Sequence, residues 1–197
     1  MTSIIYNITL KEPPFDKREA LRYAGVRGED AMSEALVDEC AAELLPRLSY
    51  RVCYRELSLD EPWICDIVCS SESLRRHLLL CSRALVLAAT VGPAPDTLLR
   101  RAAVSSPAKA VVCQAIGAER IEALCDEFCL EMSARYAKEG LSLTPRFSPG
   151  YGDLSLSFQR DIFALLDCQR QIGLTLGESL LMMPTKSVTA FVGLQKS

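Results

Sequence analysis

Residues 84 to 91 read ALVLAATV, an almost wholly apolar run, β-branched in part, closed by Gly92-Pro93. It falls far short of the roughly 20 residues that cross a bilayer. It does not alternate either, so it predicts a central strand buried on both faces. A strand of this kind calls for a sheet covered by helices.

The rest of the chain supplies those partners. Ile4, Tyr6, Ile8 and Leu10 alternate with polar or small residues and predict a half-buried opening strand. A helix is expected from about Glu29 to Leu45, with apolar Met32, Ala35, Leu36 and Ala41, and Pro46 ends it. Tyr50 to Leu59 alternates again as a strand, and Ser73 to Cys81 suits a short helix whose Arg75 and Arg76 face water. Ser106-Pro107 opens the longest helix, with Ser as its cap and Pro at its first position. Ile121, Leu124, Cys125, Phe128, Met132 and Tyr136 form its buried stripe, Gly117 marks a bend or a close contact, and Gly140 supplies the stop. We read residues 1–197 as a single α+β domain with a mixed or antiparallel sheet covered by helices.

Composition excludes several functions. With 197 residues, 49% of them hydrophobic and 24% charged, the chain is long and apolar enough to bury a core without staples. A net charge of −3 and the absence of a basic stripe argue against nucleic acid as a partner. The start, MTSIIYNITLKEPPF, lacks the pattern of a signal peptide, and no run suits a membrane span, so a cytoplasmic location is expected. The nine cysteines are odd in number and set mostly in apolar patterns, as reduced core thiols would be. Cys65/Cys69 and Cys125/Cys129 are each spaced by four, but neither is a Cys-x-x-Cys, and His77 is the sole imidazole, so no metal site is assigned.

Candidate chemistry gathers in one loop. Arg146-Phe147-Ser148-Pro149-Gly150-Tyr151-Gly152-Asp153 sets a cation and an aromatic ring among Pro and two Gly. Arg146 can fork onto a carboxylate or phosphate, and Tyr151 offers a face for a heterocycle or a cation. Gly150 and Gly152 let a ligand approach the main chain. An ordinary Pro/Gly turn with a surface Arg fits the same eight residues. Glu122 flanks the apolar stripe of the long helix, at a pocket rim or merely in solvent. No serine-hydrolase constellation exists, since His77 has no Gly-x-Ser-x-Gly elbow to serve. Glu178-Ser179 is expected to open a short turn of helix, with Leu180 to Met183 packed before Pro184 breaks it.

From Arg146 to Leu194 several motifs follow in order: Arg146, Gly150 and Tyr151; an amphipathic helix after Ser157; Gly173, Leu176, Glu178 and Ser179; Met182 or Met183 with Pro184; then Ser187-Val188. This succession resembles the carboxy-terminal activation domain of cobalamin-dependent methionine synthase, in a wording (RFSPGYGD) similar to its short stand-alone members. The likeness is strongest over residues 118–194 and architectural before that. It implies that Glu122, within AERIEA, joins Arg146, Gly150 and Tyr151 in binding S-adenosylmethionine, whose ammonium, carboxylate and sulfonium suit an acid, an Arg fork and an aromatic face. An early Asp ligand of the family finds no assigned counterpart here, Asp16 and Asp30 included, and the family's later Tyr-Tyr segment is absent. The implied role is an accessory subunit for reductive methylation of a synthase that lacks its own activation domain. The synthase core would carry the cobalamin, flavodoxin or another reductant would supply the electron, and S-adenosylmethionine would give the methyl group. The alternative is a non-catalytic docking module for a corrinoid protein, without use of S-adenosylmethionine.

Overall fold

The computed structural model describes residues 4–28 and 30–196. Five strands form one wholly antiparallel sheet: β1 (Tyr6–Thr9), β2 (Arg51–Ser58), β3 (Cys81–Thr90), β4 (Leu141–Leu143) and β7 (Ser187–Lys196), in spatial order β1-β2-β3-β7-β4. β5 (Thr175–Leu176) and β6 (Met182–Met183) pair separately as a small ribbon. Of the two sheet types the sequence allowed, the antiparallel one is present. The apolar run lies at the centre, and every residue from Ala84 to Thr90 is buried.

Alternation along β3 divides the core. Leu85, Leu87 and Ala89 meet the long helix α6 (Pro107–Ala137), which presents Ile121, Leu124, Cys125, Phe128, Met132 and Tyr136 as its sequence stripe requires. Ala84, Val86 and Ala88 face α3 (Pro62–Ser70), α4 (Glu72–His77), α7 (Gln159–Leu166) and α8 (Cys168–Ile172). A third cluster joins the first half of α6, through Val112, Cys113 and Ile116, to α1 (Lys17–Tyr23), α2 (Ala31–Leu44) and α5 (Ala94–Ser105). The 31 residues of α6 span about 46 Å at 1.5 Å per residue, long enough to brace both the sheet and this helical annex.

Several boundaries follow from local chemistry. Ser106 caps α6 by accepting from the Lys109 N–H at 3.4 Å, with Pro107 as the first residue. Gly117 is a close contact rather than a bend, because a Cβ there would lie 2.9 Å from Cε of Lys186. Asp30 caps α2 by accepting from the Met32 N–H at 3.1 Å, while the expected first helical residue, Glu29, lies outside the described residues. No helix among the described residues is long and apolar enough to cross a membrane.

Three expectations are corrected. The helix expected over Ser73–Cys81 ends at His77, since Cys81 already pairs with Gln195 in the sheet. Glu178-Ser179 starts no helix; Gly177 and Leu181 exchange a hairpin bond (Gly177 N–H to Leu181 O, 2.9 Å), because pairing of Thr175-Leu176 with Met182-Met183 turns the backbone across itself. Leu181 and Met183 consequently protrude, 60% and 52% exposed, instead of packing. Among the nine cysteines, read as set mostly in apolar patterns, Cys65 and Cys69 are exceptions: they lie on the outer face of α3 and are exposed, because Ile64 and Ile67 take its inner face.

Candidate functional site

Phe147 fixes the Arg146–Asp153 loop to the sheet edge. It donates to and accepts from Phe191 of β7, at 2.9 and 2.8 Å. Beyond it the chain turns: Gly150 adopts φ +95° and donates to Leu154 O at 2.8 Å, and Gly152 adopts φ +55°, both in the region that favours glycine. A Cβ on Gly152 would stand 2.5 Å from Oγ of Ser73, so the loop lies directly against α4. Asp153 completes this join. Its carboxylate accepts from Ser71 Oγ (2.6 Å) and from the N–H groups of Ser73 (3.0 Å) and Glu72 (2.9 Å). The Ser71 hydroxyl, followed by these N–H groups, holds the Asp153 carboxyl well below the usual aspartate range.

This anchoring leaves a cleft between α6, the loop, the start of α7 and the first residues of β7. Its volume is about 540 Å³, and Glu122, Arg146 and Tyr151 all line it. Gly150 does not; its contribution is the turn that presents its neighbours. Tyr151 is 65% exposed, with its ring centroid 6.4 Å from that of Phe147. His77, at the end of α4, places Nε2 2.9 Å from the Pro145 carbonyl oxygen and its ring 5.1 Å from Phe147, a supporting position behind the loop.

Arg146 is already engaged. Its two terminal nitrogens donate to Glu122 at 2.7 Å and to Asp126 at 2.6 Å. Burial opposes the charge on Arg146, but Cys125, Asp126 and Glu122 outweigh it and hold the guanidinium above its ordinary pKa. Burial also pushes the Cys125 thiol up to about 12, and Cys129, on the cleft wall, rises for the same reason. Two carboxylates and one guanidinium leave the cleft with a local charge of −1, and a guanidinium with five donors retains others for a ligand.

Asp126 belongs to no motif in the sequence, yet its spacing of four from Glu122 on α6 places it on the same helix face. Gln159 and Thr189 line the cleft too, and no periodicity marks either as functional. The motif around Glu122 also holds a structural pair. Arg120, fully buried, donates to the carbonyls of Pro13 (2.8 Å) and Pro14 (2.7 Å) and pairs with Glu119. Glu119 in turn accepts from the Asp16 N–H at 3.1 Å. This clamp holds residues 13–16 beside Glu122, where Pro13, Pro14 and Asp16 wall a second cleft that shares Glu122 and Asp126 with the first. Asp16 caps α1 and Asp30 caps α2, so both have local structural work.

Residues 141–197 match the family model described as vitamin B12 dependent methionine synthase, activation domain. The match includes Arg146, Gly150 and Tyr151 and stops short of Glu122. No curated protein sequence matches the chain. Among solved structures, the crystal structure of the MetH reactivation domain bound to AdoHcy is similar over 96% of this chain and 78% of that one, with a TM-score of 0.65 at 14% identity. The fold described above, an antiparallel sheet covered by helices, is therefore that of the MetH reactivation domain.

Proposed function

We propose that this chain binds S-adenosylmethionine in the 540 Å³ cleft and serves as an accessory subunit for the reductive methylation of a cobalamin-dependent methionine synthase lacking its own activation domain. One observation carries the reading: Glu122, Arg146 and Tyr151, which the family resemblance names as ligand residues, line a single cleft with Asp126. The family match over residues 141–197 and the AdoHcy on the similar MetH domain support it.

The charges are complementary. S-adenosylmethionine carries a sulfonium, an ammonium and a carboxylate, net +1, against −1 from Glu122, Asp126 and Arg146. The carboxylates suit its two cationic centres, the donors of Arg146 not taken up by the acids suit its carboxylate, and the open face of Tyr151 suits either the adenine ring or the sulfonium. When bound, the methyl donor supplies an activated methyl group, and the corrinoid of the synthase core supplies the nucleophile that takes it. This chain's residues bind and orient the donor. No proton has to move, consistent with a cleft that contains no histidine.

One observation favours the docking alternative, in which the chain caps a corrinoid protein without using the methyl donor: Arg146 is already paired with two carboxylates. A reactivation assay separates the two readings. A synthase core inactivated by oxidation should accept labelled methyl only when this chain, S-adenosylmethionine and a reductant such as flavodoxin are all present, and Arg146→Ala should abolish transfer. Reactivation equally fast without S-adenosylmethionine would establish the docking role, and failure of the two proteins to associate would refute both.

A further inference from the structure

Within the cleft two side chains are more than nine-tenths buried and carry a polar atom with no partner: Gln159, 6% exposed, through Oε1, and Thr189, 2% exposed, through Oγ1. An orphaned buried acceptor or hydroxyl gives up its hydration with nothing in return, and such groups are rare in folded proteins. Here two of them line one cavity, on different elements: Gln159 opens α7 and Thr189 lies near the start of β7.

The main chain of Thr189 adds to them. Phe191 directs both its N–H and its C=O outward to Phe147, and Gly193 does likewise to Thr144, with Thr144 N–H to Gly193 O at 2.9 Å and Gly193 N–H to Thr144 Oγ1 at 2.8 Å. In an antiparallel ladder alternate residues turn to the same side. Thr189 therefore turns its N–H and C=O outward as well. β4 pairs only with Leu194 to Lys196 and Phe147 only with Phe191, so no described strand reaches Thr189, and its donor and acceptor open toward the cleft.

We propose that Gln159 and Thr189 read the amino-heterocycle end of the ligand, the adenine edge if the ligand is S-adenosylmethionine, while Glu122, Asp126 and Arg146 take its charged amino-acid end. The proposal rests on the ligand-binding reading of the cleft given above. An adenine edge presents an N6 amino donor beside a ring-nitrogen acceptor. A carboxamide matches that pair, as Asn and Gln do when they read adenine bidentately, and so does the adjacent N–H and C=O of an open strand edge. The division of labour also places neutral polar groups against a neutral heterocycle and the charged groups against a zwitterion.

The test uses calorimetry of the full chain with S-adenosylmethionine, S-adenosylhomocysteine and S-inosylhomocysteine, the last of which replaces the N6 donor with an oxygen acceptor. Wild type should bind the adenosyl ligands at least tenfold more tightly than the inosyl one, and Gln159→Leu should weaken adenosyl binding about tenfold and erase most of that preference. Thr189→Val, which keeps the shape and the strand, should weaken it severalfold. Because neither atom has a partner within the fold, both variants should melt at or above the wild-type temperature without ligand. Wild-type adenosyl affinity in both variants would overturn the proposal, as would a wild type that binds inosyl and adenosyl ligands equally. Loss of ligand-free stability in both would assign the atoms to the fold and also overturn it. A wild type that binds none of the three ligands would refute the underlying reading of the cleft and this inference with it.

Discussion

Arg120→Met isolates the clamp that holds residues 13–16 against α6. The substitution keeps an unbranched chain of similar length but removes the guanidinium. It leaves the Glu119 carboxylate, 3% exposed, without its cation, and the carbonyls of Pro13 and Pro14 without donors. Removing one partner of a buried ion pair typically costs about 3–5 kcal/mol, because the remaining charge stays desolvated. In a chain of this size each kcal/mol lowers Tm by about 2–4 °C, so a drop of roughly 6–20 °C is expected. The double variant Glu119→Leu/Arg120→Met removes both charges. It should recover at least half of the loss, falling short of wild type because the Asp16 N–H and the two proline carbonyls still lack partners. Urea titration followed by circular dichroism, with a check that the transition is two-state, gives both values. A loss below about 1 kcal/mol for the single variant, or a double variant no more stable than the single, would refute the reasoning that an uncompensated Glu119 charge dominates.

Two further outcomes are expected. Gly193→Ala should destabilise the sheet by about 1–3 kcal/mol, measured in the same titration, since a Cβ there would lie 2.4 Å from Sγ of Cys81 and 2.8 Å from Cδ2 of Leu78; an unchanged midpoint would show that this packing yields freely. The depressed pKa of Asp153 means that its contribution is fully present above the ordinary aspartate value of about 3.9 and is lost as the pH falls through the lower folded value. The wild-type urea midpoint should therefore decline more steeply than that of Asp153→Asn below about pH 4, and parallel declines would exclude Asp153 as an acid-sensitive link between the loop and α4.

Elements with a strong one-dimensional signature were legible in the chain. The two-sided strand at Ala84–Val91 and the stripe from Ile121 to Tyr136 are repeating patterns whose burial requires one periodicity, and Ser106-Pro107 signals a helix start through its own backbone chemistry. Among the short elements, α1 and α3 were not. α1 has a single buried residue, Ala20, and α3 has two, Ile64 and Ile67, too few to set a period before packing selects it. Glu178-Ser179 reads as a turn of helix from its own residues; pairing of Thr175-Leu176 with Met182-Met183 makes it the tip of a hairpin instead.

The candidate site divides in the same way. Arg146, Gly150, Tyr151 and Glu122 were named from residue type and motif, because a cation and a ring in a Pro/Gly loop, and an acid beside an apolar stripe, are local facts. That three of them line one cleft while Gly150 only turns the chain is a property of the fold, set by the Phe147–Phe191 pairing and the Asp153 anchor. The fold alone also determined that Arg146 is shared between two carboxylates, that Glu119 and Arg120 are structural while Glu122 three residues on faces the cleft, and that Gln159 and Thr189 meet there unpartnered. The sequence specifies which groups exist and which faces are apolar. Only tertiary packing, by bringing distant segments within hydrogen-bond range and excluding water, determines which polar groups satisfy one another and which are left for a ligand.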